Sequence, residues 1–400
     1  MKKSILLASL FYSFVEYLSF FIVTSLFTPL ILAQNSLYKD PFNLIKEPEL
    51  LLGVILGVYG LGIFLGAPLL GKWSDHKNRK QALQISMALN ILGNFGVGIF
   101  FASANVWMMI FFRFITGLGS SGAQLLYNVV QDMESEEKKR GKAMGYLVAV
   151  SSFATVLGPA FGTLFAGDSG IMLGIPFFVL GFLGMCSMLF THLSFGQNAT
   201  AHKGKHQSFL EIFTKPEVLI VGISYFLFLL IAESLFVAIP IVMVLGFDVS
   251  SDWIALFFAY GGLVSVFTGT FILPCISRFF SVRLAYLTSL LGLTLSLFSF
   301  FLSSTPEELF VPFTFFALFA TLAWSKGNEL ILAVAEKKNT GIIMGVFGSL
   351  IALAVLLASL FMGYFATLSS LLPLLVLCIM GLINFAVAVL SYRKLARQSS

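Results

Sequence analysis

Some ionisable side chains stand where charge is costly. Glu16, Glu233 and Glu329 fall inside long apolar runs of this chain, and so do the bases Arg113 and Lys326. A charge near the centre of a bilayer costs at least about 2.5–3.5 kcal/mol on insertion scales, so such groups pair, face water or do chemistry. The chemistry open to a lone carboxyl group is reversible proton uptake, which a nearby guanidinium can tune. Glu16, Glu233 and Arg113 are therefore functional candidates. Lys326 and Glu329 are three residues apart on one helical face, a spacing that also fits an internal ion pair. The histidines lie in loops or, for His192, at the end of an apolar run, and Cys186, Cys275 and Cys378 have no ligand spacing. No metal or cofactor is expected.

A second set of charges is dense. The stretch from Gly66 to Leu83 reads GAPLLGKWSDHKNRKQAL and lies between two apolar runs. Gly71, Asp75 and Arg79-Lys80 follow one another at intervals of four. A loop on the inner side of a membrane collects cations, but that rule does not account for Asp75. The first seven residues also fit a phosphate-binding loop. Trp73 stands where that loop needs Ser or Thr, and a membrane helix precedes it instead of a strand.

The elements that must position these groups are membrane helices. The chain of 400 residues is 58% hydrophobic and 11% charged, and its apolar runs of about 20 residues are long enough to cross a bilayer. They are continuous, without the alternation of a barrel. The pattern predicts an all-α membrane protein of twelve transmembrane helices, at about 7–32, 51–70, 82–101, 107–130, 143–166, 171–192, 217–245, 254–276, 284–303, 310–333, 341–365 and 371–391. The longest polar break divides it into residues 1–192, a central loop 193–216 and residues 217–400. Of its 24 lysines and arginines, Lys39 and Lys46 fall in loops on one side, Arg113 and Lys326 lie within spans, and all the others fall on the opposite side. Both termini and the central loop are then cytoplasmic. The net charge of +5 follows from this orientation, and no nucleic-acid partner is expected.

Three segments resemble sequence motifs of the major facilitator superfamily, in the family's order. Gly71, Asp75, Arg79 and Lys80 match motif A, between helices two and three. Arg113-Phe114-Ile115-Thr116-Gly117-Leu118-Gly119-Ser120-Ser121 resembles motif B in helix four. Val156-Leu157-Gly158-Pro159-Ala160-Phe161-Gly162 resembles motif C in helix five, a signature of drug–proton antiporters, with Thr163 where a further glycine is usual. Gly158 and Gly162 form a small-residue face, and Pro159 removes a backbone bond. The second half keeps a worn motif A, Leu273–Arg283, with cations and no acid.

The resemblance implies two pseudo-symmetric six-helix bundles, with a binding site between them near the midplane. It implies that Arg113 tunes a nearby carboxylate, with Glu16 the leading proton carrier and Glu233 its counterpart in the second half. It also implies a latch in which Asp132 pairs with Arg79 or Lys80 while Asp75 meets the start of the eleventh helix, near Gly341. The function expected is proton-coupled efflux of a small molecule or drug, by a monomer in a bacterial inner membrane. The alternative is a proton-coupled importer of a nutrient or siderophore. An enzyme or receptor would need a catalytic cluster or a sensory domain, and the sequence offers neither.

Overall fold

The computed structural model describes residues 3–33, 36–76, 78–123, 125–126, 129, 137–165, 170–195, 216–334 and 340–398. Among these, twelve long helices run back and forth: α1 (Lys3–Leu32), α2 (Pro48–His76), α3 (Arg79–Ala102), α4 (Val106–Ser120), α5 (Glu137–Phe165), α6 (Ile171–Ser194), α7 (Pro216–Phe247), α8 (Ser251–Phe279), α9 (Val282–Ser299), α10 (Phe310–Val334), α11 (Thr340–Leu368) and α12 (Leu372–Gln398). Each coincides with an expected span. Eleven are long and apolar enough to cross a membrane, and α4 is a shorter apolar helix.

The structure corrects two loops. The motif A stretch is almost wholly helical, because α2 runs on to His76 and α3 begins at Arg79. Asn78 makes so tight a junction possible: its side-chain oxygen accepts from the Lys80 N–H at 2.8 Å and caps α3. The worn counterpart is also mostly helix. There α8 passes through a π-helical turn at Thr268–Ile272 and continues to Phe279, and the Ser281 hydroxyl caps α9. The central loop falls outside the described residues from 196 to 215.

Helix contacts repeat six helices apart. In the first half α1 packs on α5, α3 on α6, α3 on α4 and α2 on α4; in the second, α7 packs on α11, α9 on α12, α9 on α10 and α8 on α10. A hydroxyl pair crosses the first and third helices of each half, with the tyrosine on opposite members. Tyr12 of α1 meets Ser86 of α3 at 2.6 Å, and Ser224 of α7 meets Tyr286 of α9 at 3.3 Å.

The halves meet mainly where α2 lies along α11 and α5 along α8. The first seam is nearly backbone to backbone. A Cβ on Gly53 would stand 2.5 Å from the Ser359 carbonyl oxygen, and one on Gly60 would stand 2.7 Å from the Leu356 nitrogen. Small residues permit this approach, and dispersion between the helices rewards it. The seam belongs to the end opposite the basic loops. Toward the basic end Gly71 and Gly145 have no described neighbour within 4 Å of an added Cβ.

The α1–α2 connection is tied down at the seam end. Asp40 accepts from the N–H groups of Phe42, Leu44 and Ile45 at 2.9, 2.7 and 2.9 Å, and from the Trp107 indole at 2.8 Å. Burial opposes its ionisation, but these four donors outweigh it and hold the carboxyl below its ordinary value. Tyr38 donates to the Phe101 carbonyl at 3.0 Å, and burial pushes its phenol up to about 12.

Two predictions follow from this packing. Gly60→Val overpacks the seam at a cost of about 1–3 kcal/mol, which shifts a two-state equilibrium roughly 5- to 150-fold. In a background freed of native cysteines and carrying Ser359→Cys, maleimide labelling from the closed side should rise accordingly; unchanged labelling would refute the seam as a closure. Asp40→Asn should lower thermal stability at neutral pH. Because the folded carboxyl titrates below its unfolded value, its contribution is full above the ordinary carboxylate range and fades as pH falls through the folded value. The gap between wild type and variant should therefore shrink on acidification, and a gap constant with pH would contradict the assignment.

Candidate functional site

A small cavity of ≈ 30 Å³ lies between the halves. The first half contributes Phe20, Phe21 and Thr24 from α1, Leu56 from α2 and Arg113 from α4. The second contributes Glu233 and Phe236 from α7 and Val355 and Ser359 from α11. Phe21 and Phe236 approach across the interface with ring centroids 6.0 Å apart.

Arg113 is 2% exposed. Its guanidinium lies over the ring of Tyr59, 4.4 Å from the centroid, a contact between a cation and the negative face of the ring. Its Nε and Nη1 groups have no hydrogen-bond partner among the described residues. The motif B glycines set this geometry. A Cβ on Gly117 would collide with the Tyr59 carbonyl oxygen, and one on Gly119 would collide with the Asn90 nitrogen, so α4 can lie close against both α2 and α3. Arg113 and Glu233 line one cavity from opposite halves, and no ion pair joins them.

Glu16 is also buried, 2% exposed, near the middle of α1, and belongs to a polar ladder that sequence reasoning missed. Asn90 of α3 donates through its side-chain amide to Glu16 Oε2 at 3.1 Å and to the Ser120 hydroxyl at 3.0 Å. Asn94 donates to Asn90 Oδ1 at 2.6 Å and accepts from Ser19 at 2.9 Å. Tyr12 and Ser120 also face the carboxyl group, while its second oxygen, Oε1, has no hydrogen-bond partner among the described residues. Tyr59 lies within electrostatic reach of Glu16, Arg113 and Glu233 together. Two asparagines four residues apart in the third apolar run were the available signal for the ladder. Nothing in the sequence singled out Tyr59.

The remaining candidates divide by contact. Lys80 donates to the carbonyls of His192 and Phe195 at 2.8 and 2.7 Å, so its charge caps the end of α6. Arg79 donates to the Ser74 hydroxyl at 3.1 Å. Asp75 lies in the last turn of α2; its side chain, like the whole of Asp132, lies outside the described residues. Gly158 and Gly162 face α1, where added Cβ atoms would stand 2.6 Å from Phe21 and 2.9 Å from Ile22, and the Pro159 carbonyl accepts from Ser25 at 2.9 Å. Lys326 and Glu329 form the expected ion pair at 2.7 Å, with the lysine buried and the glutamate half exposed.

Known proteins agree with this architecture. The family model of the Major Facilitator Superfamily matches residues 9–279. The chain is 31% identical to the class D tetracycline resistance protein of Salmonella ordonez over 143 residues, which are 36% of this chain and 34% of that protein. It thus spans about a third of the length of that curated relative. Among solved structures, a bacterial homolog of the human lysosomal transporter Spinster, inward-facing and occupied, superposes with a TM-score of 0.76 at 16% identity, covering 97% of this chain and 96% of the other. A D-xylose–proton symporter gives 0.69 at 15% identity, covering 97% and 96%. With the matched segment extending through the first half into α8, and with twelve helices packed in two repeating sets around a central cavity, the chain belongs to the Major Facilitator Superfamily and is a multi-pass membrane transporter, not an enzyme.

Proposed function

We propose that this transporter exports a small molecule in exchange for protons, by alternating access of two bundles, residues 1–192 and 217–400, joined by the loop 193–216. The observation that carries the reading is Glu16: a buried carboxyl group held by Asn90 and faced by Ser120, with one oxygen unpartnered among the described residues, on the helix that also lends Phe20 and Phe21 to the cavity of Arg113 and Glu233. An acid that is sealed in this state and wetted in the opposite one can carry a proton across the cycle. A proton moving down the membrane potential supplies about 2.3 kcal/mol per 100 mV. Likeness to a tetracycline resistance protein supports efflux, as does the Gly158-Pro159-x-x-Gly162 face packed on α1.

In this reading the basic end faces the cytoplasm of a bacterial cell, with both termini there, the seam is closed to the outside, and the protein works as a monomer in the plasma membrane. Asp75, Arg79 and Asp132 form the latch that closes the basic end when the seam opens. Lys80, held on α6, stays with the first bundle. Thr163 in place of a second motif C glycine departs from the antiporter pattern, and with the worn second-half motif A it leaves a proton-coupled importer as the alternative.

Proteoliposomes carrying an internal pH dye test the reading. Efflux exchange predicts that lipophilic substrates trigger proton release from vesicles that are acid inside, and that Glu16→Gln lowers this coupled flux at least about tenfold while substrate exchange without a gradient persists. Proton movement in the same direction as substrate would establish import instead. For the latch, Asp75→Asn should cut transport several-fold and raise the population closed at the seam, as measured by spin-label distances across α2 and α11; unchanged populations would dismiss it.

A further inference from the structure

We infer that the turn joining α8 to α9 binds an anionic phospholipid, its phosphate held by Arg278 and Arg283 and its acyl chains lying between the two helices. This turn is the worn counterpart of motif A, which the transport cycle proposed above leaves without a role. α8 has 29 residues, which span about 43 Å at 1.5 Å per residue, against a hydrocarbon core of about 30 Å. It is long enough for its last turn to reach the headgroup layer. Pro274 has no N–H to offer Thr270, the fourth residue before it, and the π-helical turn at Thr268–Ile272 carries the helix past that position.

The surface at this end is both apolar and basic. No residue from Leu273 to Phe279 is buried. Leu263, Phe267, Phe271 and Phe279 are exposed along α8, and Leu284, Leu291 and Leu295 along α9, at spacings of four, seven or eight that keep each set on one side of its helix. Both helices pack on α10 but meet each other mainly at the turn, so they part as they leave it. Arg278 and Arg283 are exposed where the two apolar stripes converge. The Arg278 guanidinium lies 5.9 Å from the centroid of the Phe279 ring, with an apolar stem that suits the membrane edge and a charged head that suits the headgroups. No Asp or Glu occurs from 253 to 306, and on neighbouring α10 the acid Glu329 is already paired with Lys326 at 2.7 Å. Motif A sets Asp75 among its cations; its counterpart has cations alone. A lipid phosphate supplies the missing negative charge, and its paired oxygens fit a guanidinium edge. A zwitterionic lipid carries its own cation and gains less from the two arginines.

The test titrates the full chain, purified in detergent, with dioleoyl phosphatidylglycerol or dioleoyl phosphatidylcholine and counts bound lipid by native mass spectrometry. Phosphatidylglycerol should bind about tenfold or more tightly. Arg278→Gln combined with Arg283→Gln should remove that preference. Lys337→Gln combined with Lys338→Gln, an equal loss of charge in the α10–α11 connection, should leave it. Equal binding of the two lipids would overturn the inference, and so would an equal fall in both double variants, which would mean diffuse attraction alone. Displacement of phosphatidylglycerol by an equal concentration of glycerol 3-phosphate would also overturn it, because the turn would then read a free anion and not a lipid. A second readout locates the lipid. With Cys186→Ala and Cys378→Ala in place, a fluorophore on Cys275, exposed three residues before Arg278, is followed in nanodiscs. Phosphatidylglycerol carrying a nitroxide should quench it more than phosphatidylcholine so labelled, at equal mole fraction. Equal quenching would sink the placement and the inference with it. Should the arginine variant fail to fold, the quenching at Cys275 decides.

Discussion

The guanidinium of Arg113 sits 4.4 Å above the ring of Tyr59, and much of the first half is arranged to make that contact possible. A long cation can be buried in a membrane protein only where something replaces its water. Here the replacement is an aromatic face, which demands that α2 and α4 approach almost backbone to backbone. Gly117 meets this demand by offering no side chain to the Tyr59 carbonyl. Gly119 does the same toward Asn90 of α3, which fixes Asn90 within reach of both Ser120 and Glu16. One buried cation thus sets two helix interfaces, and those interfaces carry the ladder that holds the acid.

The two halves solve the polar problem differently. In the first, the amides of Asn90 and Asn94 link α1, α3 and α4 and end on an ionisable group. In the second, Asn384 of α12 donates to the Ser224 hydroxyl and accepts from the Phe228 N–H, tying α12 to α7 with no acid involved. The same architecture is satisfied in one half by a titratable network and in the other by a neutral one.

Helix number, order and approximate edges were legible because hydrophobic runs of bilayer length leave little choice, and the glycine motifs were legible because they are local. Two kinds of feature were not. Helix ends near charges were placed too early: the residues from Gly71 to His76 read as loop by composition, yet their backbone stays helical until Asn78 supplies a cap. Partners distant in sequence were also hidden. Glu16 was visible as a lone acid, but its dependence on Asn90, 74 residues away, arises from packing that no local pattern encodes. Tyr59 looked like one aromatic among many until the fold put Arg113 over it.

Lys80 shows how a motif can contain parts with unlike duties. The last turn of a helix leaves carbonyl groups without a partner inside the helix, and at the end of α6 the lysine ammonium meets two carbonyls from α3. That contact joins α3 to α6 within one bundle and does not depend on where the other bundle stands. Gly71, on α2, has open space around it among the described residues. Within ten residues the chain therefore passes from a position with open space around it among the described residues to one that ties two helices of the first bundle together. Counting the cations of such a stretch as a single charged switch merges these two roles, and only the contacts of each residue separate them.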